Sequence, residues 1–156
     1  MPSSPWQRTM LSADRLTVKA GEALQAAAAE ARQRGNAEGH GVHLLDALLA
    51  QEEGIVVPIL QKIEVRVARV REQTGEALSR MARVEGGSDP NLSRDLRKAL
   101  DAAEDVSREL EDEFVSTEHL LLGLTGGSHH TIAEDYGLTA RYLIARPWEE
   151  TESRRG

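Results

Sequence analysis

FVSTEHLLLGL, at residues 114–124, repeats the pattern of EGHGVHLLDALL at residues 38–49. The two His-Leu-Leu motifs start at His43 and His119, which are 76 positions apart. At this offset residues 20–48 align without a gap, and nine of the 29 aligned positions are identical. Amino-acid composition alone would give about three identities in such a window. The sequence therefore contains an internal duplication.

Both halves show the apolar spacing of amphipathic helices. Alanine and leucine recur at steps of three and four after Thr17 and again after Ser93, and both of these residues are good N-caps. Pro58 cannot sit in a helix interior, so we place it in the first turn of a short helix, followed by a longer helix at residues 65–82. Gly137 separates two further predicted helices. We expect an all-α fold of about eight helices, with a four-helix unit repeated in pseudo-twofold symmetry within one compact domain.

The stretch RVEGGSDPN, at residues 83–91, predicts a linker between the two units, because Gly, Ser, Asp, Pro and Asn are the residues that favour turns. The start of the chain is rich in Pro and Ser, and its end is polar. The predicted organisation is a flexible leader (1–13), a helical domain (14–146) made of repeat one (14–82), the linker (83–91) and repeat two (92–146), and a polar tail (147–156).

Composition and charge narrow the range of functions. The 156 residues carry a formal net charge of −7, which repels a nucleic-acid backbone, so we expect no nucleic-acid partner. No stretch approaches the roughly 18 apolar residues of a membrane span, and the N-terminus lacks the apolar region of an export signal. The absence of cysteine fits a reducing compartment. We predict a cytoplasmic protein that does not associate with membranes.

The sequence carries no signature of catalysis or of a bound cofactor. A phosphate-binding G-x-x-x-x-G-K-S/T loop needs a Gly-Lys pair, and none of the three lysines follows a glycine. The G-x-S-x-G and H-E-x-x-H motifs are also absent. His40 with His43, and the pair at 129–130, lack the dense neighbouring ligands of a metal site. We predict no enzyme, cofactor or metal, and we expect His43 and His119 to bond loop backbone from the first turn of their helices.

The acidic run ELEDE, at residues 109–113, has two interpretations. It is typical of a solvated helix end. Alternatively, Asp112 and Glu118 flank the apolar pair Phe114 and Val115, so carboxylates border an exposed apolar patch, as in a peptide-binding groove.

Three segments in this order resemble the N-terminal domain of the Clp AAA+ unfoldases, most closely that of the ClpB disaggregases: DRLTVKAGEALQAA, HLLDALLAQEEGIVVPIL and ARVEGGSDPNLSRDLRKALDAAEDVSRELEDEFVSTEHLLLGL. The resemblance runs from about residue 14 to residue 144. It implies an all-α double repeat of eight helices that receives unfolded or aggregated polypeptide and passes it to the ATPase ring of a Clp chaperone. An adaptor or regulator that docks on a folded protein partner is the alternative.

The resemblance also implies the residues that contact substrate. Thr17, Asp112 and Glu118 match the polar positions that hydrogen-bond peptide backbone or basic groups. The apolar groove beside these residues involves Leu100, Ala102 and His119, together with Phe114 and Val115.

Two departures make the halves unequal. In the related ClpC domains, a Glu just before the His of each repeat recognises phosphorylated arginine, and here those positions hold Val42 and Glu118. Repeat one has Glu38-Gly39 where repeat two has Phe114-Val115. We therefore expect any groove to lie in repeat two and repeat one to serve mainly as scaffold.

Overall fold

The computed structural model describes residues 15–62, 64–84 and 89–125. Within these residues the chain forms six α-helices and two short strands: α1 (Val18–Gln33), β1 (Glu38–Gly39), α2 (Gly41–Ala50), α3 (Val56–Lys62), α4 (Val67–Ser79), β2 (Asn91–Leu92), α5 (Arg94–Glu109) and α6 (Thr117–Thr125). The predicted all-α class is confirmed. The last two predicted helices, the leader and the tail lie outside the described residues, so the total of eight helices stays a prediction.

Matching side chains start the first helix of each repeat. Thr17 Oγ1 accepts a hydrogen bond from Ala20 N at 3.2 Å, and Ser93 Oγ accepts one from Leu96 N at the same distance. Each bond satisfies a main-chain donor that the first helical turn leaves unpaired. Pro58 lies in the first turn of α3, as predicted, where its missing N–H costs nothing.

The His-Leu-Leu helices α2 and α6 form the centre of the core. The leucine pairs Leu44–Leu45 and Leu120–Leu121 are buried, with at most 1% of their surface exposed. In α6, Gly123 lies so close to α5 that a Cβ atom there would come within 2.1 Å of the Ala99 carbonyl oxygen. The absence of a side chain at this position therefore lets α6 pack directly on the α5 main chain.

Short parallel pairings join the two repeats reciprocally. β1 pairs with β2, and Ser93 N donates to Gly39 O at 2.9 Å. At the offset of 76, Leu16 pairs in parallel with Val115, and Thr17 N donates to Val115 O at 3.1 Å. The residues that enter the first helix of each repeat thus pair with the loop that precedes the His-Leu-Leu helix of the other repeat. This exchange confirms the predicted pseudo-twofold symmetry.

Candidate functional site

The two His-Leu-Leu histidines organise equivalent loops. His43 Nδ1 accepts a hydrogen bond from His40 N at 2.9 Å, and its Nε2 lies 2.9 Å from Asn36 Oδ1. Because Nδ1 accepts a main-chain proton, the ring proton must be on Nε2 and point to Asn36. Burial, helped by the nearby His40, lowers the pKa of His43 to about 4, so the ring is neutral at physiological pH.

In repeat two, His119 Nδ1 accepts from Ser116 N at 2.9 Å, and Nε2 lies 2.7 Å from Asp112 Oδ2. Both histidines therefore bond loop backbone from the first turn of their helices, as predicted. A carboxylate in repeat two replaces the amide of repeat one.

Asp112, His119 and Ser116 are the residue types of a hydrolase triad, and Ser116 Oγ lies 3.1 Å from His119 Nδ1. The lone pair of Nδ1, however, is already engaged by the Ser116 main-chain N–H. A nitrogen in this state is not free to take the hydroxyl proton, which a general base must do. The arrangement therefore orders a helix start and does not activate a nucleophile.

A notch of about 370 Å³ opens where the first turns of α1 and α6 meet. Three segments line it: residues 17–19, residues 53–55 and residues 116–118. The first comes from the start of repeat one, the second from the loop between α2 and α3, and the third from repeat two. The pairing of Leu16 with Val115 places the first and third of these segments side by side.

One unpaired acceptor belongs to a residue that lines the notch, and a second lies near another lining residue. Glu118 Oε2 and Gln51 Oε1 are buried and accept no hydrogen bond within the described part of the chain. Glu118 lines the notch, and Gln51 Oε1 lies 3.3 Å from the place that a Cβ on Gly54, another lining residue, would occupy. Buried acceptors without donors are costly, so this surface favours a ligand rich in N–H groups or positive charge.

Apolar surface lies beside these acceptors. Val18 is 78% exposed on one wall, and Ile55 on another wall packs partly against the core. Lys19, also a lining residue, donates a hydrogen bond from its ammonium group to Glu52 O at 3.1 Å. The notch thus combines an exposed apolar side chain with a carboxylate, the surface types that peptide recognition needs.

The structure separates the predicted site residues into three groups. Thr17 and Glu118 line the notch together. Phe114 is 45% exposed and Ala102 is half-buried on α5, but neither lines the notch, and neither does Asp112.

The third group lies in the core. Leu100, Val115 and His119 are exposed by 3%, 0% and 2%, so in this structure their side chains offer no surface to a ligand. Leu100 lies on the inner stripe of α5, and Val115 is part of the parallel bridge. The expectation of an open apolar groove along these residues does not fit their positions.

Sequence reasoning missed Val18 and the loop at 53–55. An apolar residue directly after an N-cap was a usable signal for Val18. Nothing local pointed to Ile55, because its place at the notch depends on packing between distant segments.

A related notch, at the position equivalent under the offset of 76, is lined by residues 93–95 with Glu38 and His40. There Asp95 accepts hydrogen bonds from Gly41 N at 3.3 Å, from His40 Nδ1 at 3.1 Å and from Ser93 Oγ. Burial alone would raise the pKa of Asp95, but these bonds hold it well below its usual range. The position equivalent to Asp95 is Lys19. The second notch therefore already contains a bonded carboxylate.

Comparison with known proteins agrees with this architecture. Residues 15–134 match the family model described as the Clp repeat (R) N-terminal domain. The chain belongs to the Clp N-terminal domain family. The chaperone protein ClpB of Mycobacterium tuberculosis is 43% identical over 112 residues, which are 71% of this chain and 13% of ClpB. This Clp N-terminal domain thus spans only a small part of the curated relatives that it matches.

Solved structures share the fold. The Hsp104 N-terminal domain from Candida albicans superposes with a TM-score of 0.74 at 17% identity, covering 87% of this chain and 91% of that one. A ClpV N-domain in complex with a VipB peptide gives a TM-score of 0.66 at 20% identity, with 94% of each chain covered. These likenesses show that the fold is that of a Clp N-terminal domain.

Two further observations apply to the described residues only. The described residues contain no group of three or more His, Cys, Asp or Glu side chains placed to hold a metal ion. In the same ranges, every helix is too short or too polar to cross a membrane.

Proposed function

We propose that this Clp N-terminal domain is the substrate-binding module of a ClpB-like disaggregase and engages unfolded or aggregated polypeptide at the notch between α1 and α6. The observation that carries the proposal is the unpaired, buried Oε2 of Glu118 in a notch with exposed apolar surface. Unfolded segments offer groups that complement this surface: main-chain N–H groups and basic side chains for the unpaired acceptor, and apolar side chains for the exposed apolar wall.

Each wall has a role in this proposal. Glu118 accepts a charge-assisted hydrogen bond from a lysine or arginine of the substrate. The Thr17 hydroxyl uses one lone pair to cap α1 and keeps its proton to donate to a substrate carbonyl. Val18 and Ile55 contact a neighbouring apolar side chain. The module itself is non-catalytic, and the ATPase ring of a cytoplasmic Clp chaperone supplies the energy for threading.

The test is an amide NMR titration of the folded domain with a permanently unfolded model protein, compared between wild type and Glu118→Gln. Wild type is expected to show shifts around Thr17 and Glu118. The variant keeps the shape of the side chain and loses its charge, so we expect binding to weaken about tenfold. Glu76→Gln, an exposed position on α4, is the matched control and should bind like wild type. If saturating unfolded protein leaves the amides of Thr17 and Glu118 unmoved, the proposal is wrong.

A second candidate is an adaptor or regulator that docks on a folded protein partner. The complex of a ClpV N-domain with a VipB peptide supports one part of this candidate, the recognition of one particular protein by a domain of this fold. Binding measured against the same bait in its folded and unfolded forms separates the two candidates. Preference for the folded form supports the adaptor, and preference for the unfolded form supports the disaggregase module.

A further inference from the structure

Asp112 lies in the turn between α5 and α6 and does not line the notch. Its Oδ2 is 2.7 Å from His119 Nε2, and its side chain is 34% exposed. Asp112 N donates to Ser107 O at 2.8 Å, which fixes the turn to the end of α5. The carboxylate is thus directed at a buried ring.

The His119 ring connects Asp112 to a residue that lines the notch. His119 is 2% exposed, and its Nδ1 accepts from the main-chain N–H of Ser116. Ser116 lines the notch and is followed by Thr117 and Glu118, which also line it. Because Nδ1 accepts, the Nε2 proton is available for Asp112. Two successive hydrogen bonds therefore link Asp112, through His119 in the first turn of α6, to Ser116, the residue directly before this helix.

Repeat one shows that this hydrogen-bond arrangement needs an acceptor oxygen beside the histidine, but not a negative charge. Asn36 Oδ1 holds His43 Nε2 at 2.9 Å, and His43 Nδ1 holds His40 N at 2.9 Å. The amide oxygen of Asn36 replaces the carboxylate of Asp112 and leaves the rest of the arrangement unchanged.

We propose that Asp112 is a positioning residue: by holding His119, it fixes the first turn of α6 so that Glu118 faces the notch, and Asp112 itself does not contact the substrate. This inference rests on the proposed function, since it concerns how the binding residue Glu118 is placed. It assigns Asp112 a role through another residue, in contrast to the direct contact that the family resemblance implies.

The experiment compares Asp112→Asn with Asp112→Ala, and uses Asn36→Ala as the control at the equivalent place in repeat one. The probe is a fluorescein-labelled, unstructured peptide rich in arginine and leucine, and affinity is followed by anisotropy. Asp112→Asn keeps the oxygen and should bind within about twofold of wild type. Asp112→Ala should bind about tenfold more weakly. This is the size of effect expected when one hydrogen bond is lost, here the bond to His119 that positions Glu118. Asn36→Ala should lower thermal stability without changing affinity.

Side-chain ¹⁵N spectra of His119 provide the readout that a general loss of stability would not move. We expect the Nε2–H tautomer in wild type and Asp112→Asn, and exchange between tautomers in Asp112→Ala. If Asp112→Asn binds as weakly as Asp112→Ala while His119 keeps its tautomer, the charge itself contacts substrate and the inference is overturned. Unchanged affinity in Asp112→Ala also overturns it.

Failure of the proposed function gives a different result. If wild type does not bind the probe, the proposed function fails, and the positioning role is then decided on the ligand-free protein. The amide shifts of Ser116 and Glu118 should move in Asp112→Ala and stay in place in Asp112→Asn. Shifts that stay in place in both variants would overturn the inference independently of any ligand.

Discussion

Acidification from about pH 7 to about pH 4.5 should lower the free energy of unfolding because of His43. In the unfolded chain this ring has its ordinary pKa of 6.5, whereas burial lowers the pKa of His43 in the native state to about 4. Between pH 6.5 and about pH 4, His43 is protonated in the unfolded chain but stays neutral in the native state. The contribution of His43 to stability is therefore complete above pH 6.5 and is lost as the pH falls toward 4.

The magnitude follows from the two pKa values. Proton linkage between 6.5 and about 4 gives a loss of about 2.5 kcal/mol at pH 4.5. The assay is urea denaturation followed by far-UV circular dichroism across this pH range, with wild type and His43→Gln compared. The glutamine variant cannot bind the proton, so the difference between the two pH profiles isolates the histidine.

An NMR titration of the His43 ring in the wild-type protein checks the same reasoning when the variant does not fold. A native-state pKa near 6.5 would refute the assignment of a neutral, desolvated ring. Equal pH profiles for wild type and His43→Gln would refute it as well.

Three further predictions concern stability. Burial, followed by the neighbouring Glu30, raises the pKa of Asp46 to about 6, so the stability that its proton contributes is lost as pH rises through 6, and Asp46→Asn should add about 1 kcal/mol in urea denaturation at pH 7 and nothing near pH 4. Gly123→Ala should cost about 3 kcal/mol or more because its Cβ meets the α5 main chain, whereas Gly75→Ala on α4, with nothing within 4 Å, should gain about 0.5–1 kcal/mol; Tm measurements that rank the two alike would contradict this packing. Leu121→Ala should cost roughly 2–5 kcal/mol in the same assay, and a smaller loss would show that the core collapses to fill the cavity.

Local chemistry made much of the fold predictable. Thr17 and Ser93 cap their helices through a side chain and an N–H three residues apart, so sequence spacing alone identifies them. The histidine bonds to His40 N and Ser116 N also span three residues. The duplication supplied a second, independent copy of each signal.

Contacts between distant segments were not predictable in the same way. The two-residue strands are too short to show the alternation of a strand, and they exist because each repeat presents a loop to the other. Leu100 and Val115 are buried by contacts of this kind, which a motif does not show. The sequence motifs therefore predicted that both residues line an exposed groove. The opposite charges of Lys19 and Asp95 are visible in the sequence, but only the structure shows that Asp95 accepts hydrogen bonds from the loop of the other repeat within its notch.

The reciprocal pairing at Leu16–Val115 and at β1–β2 has a consequence for the origin of the chain. A polypeptide made of one repeat alone would have an entering segment and a receiving loop with nothing to pair with, and two such polypeptides would satisfy each other in a closed, twofold dimer. Fusion of two copies makes that dimer a single molecule. It also allows the two halves to differ in sequence. One notch can then diverge as a binding site, while the equivalent notch holds the two repeats together through the hydrogen bonds of Asp95.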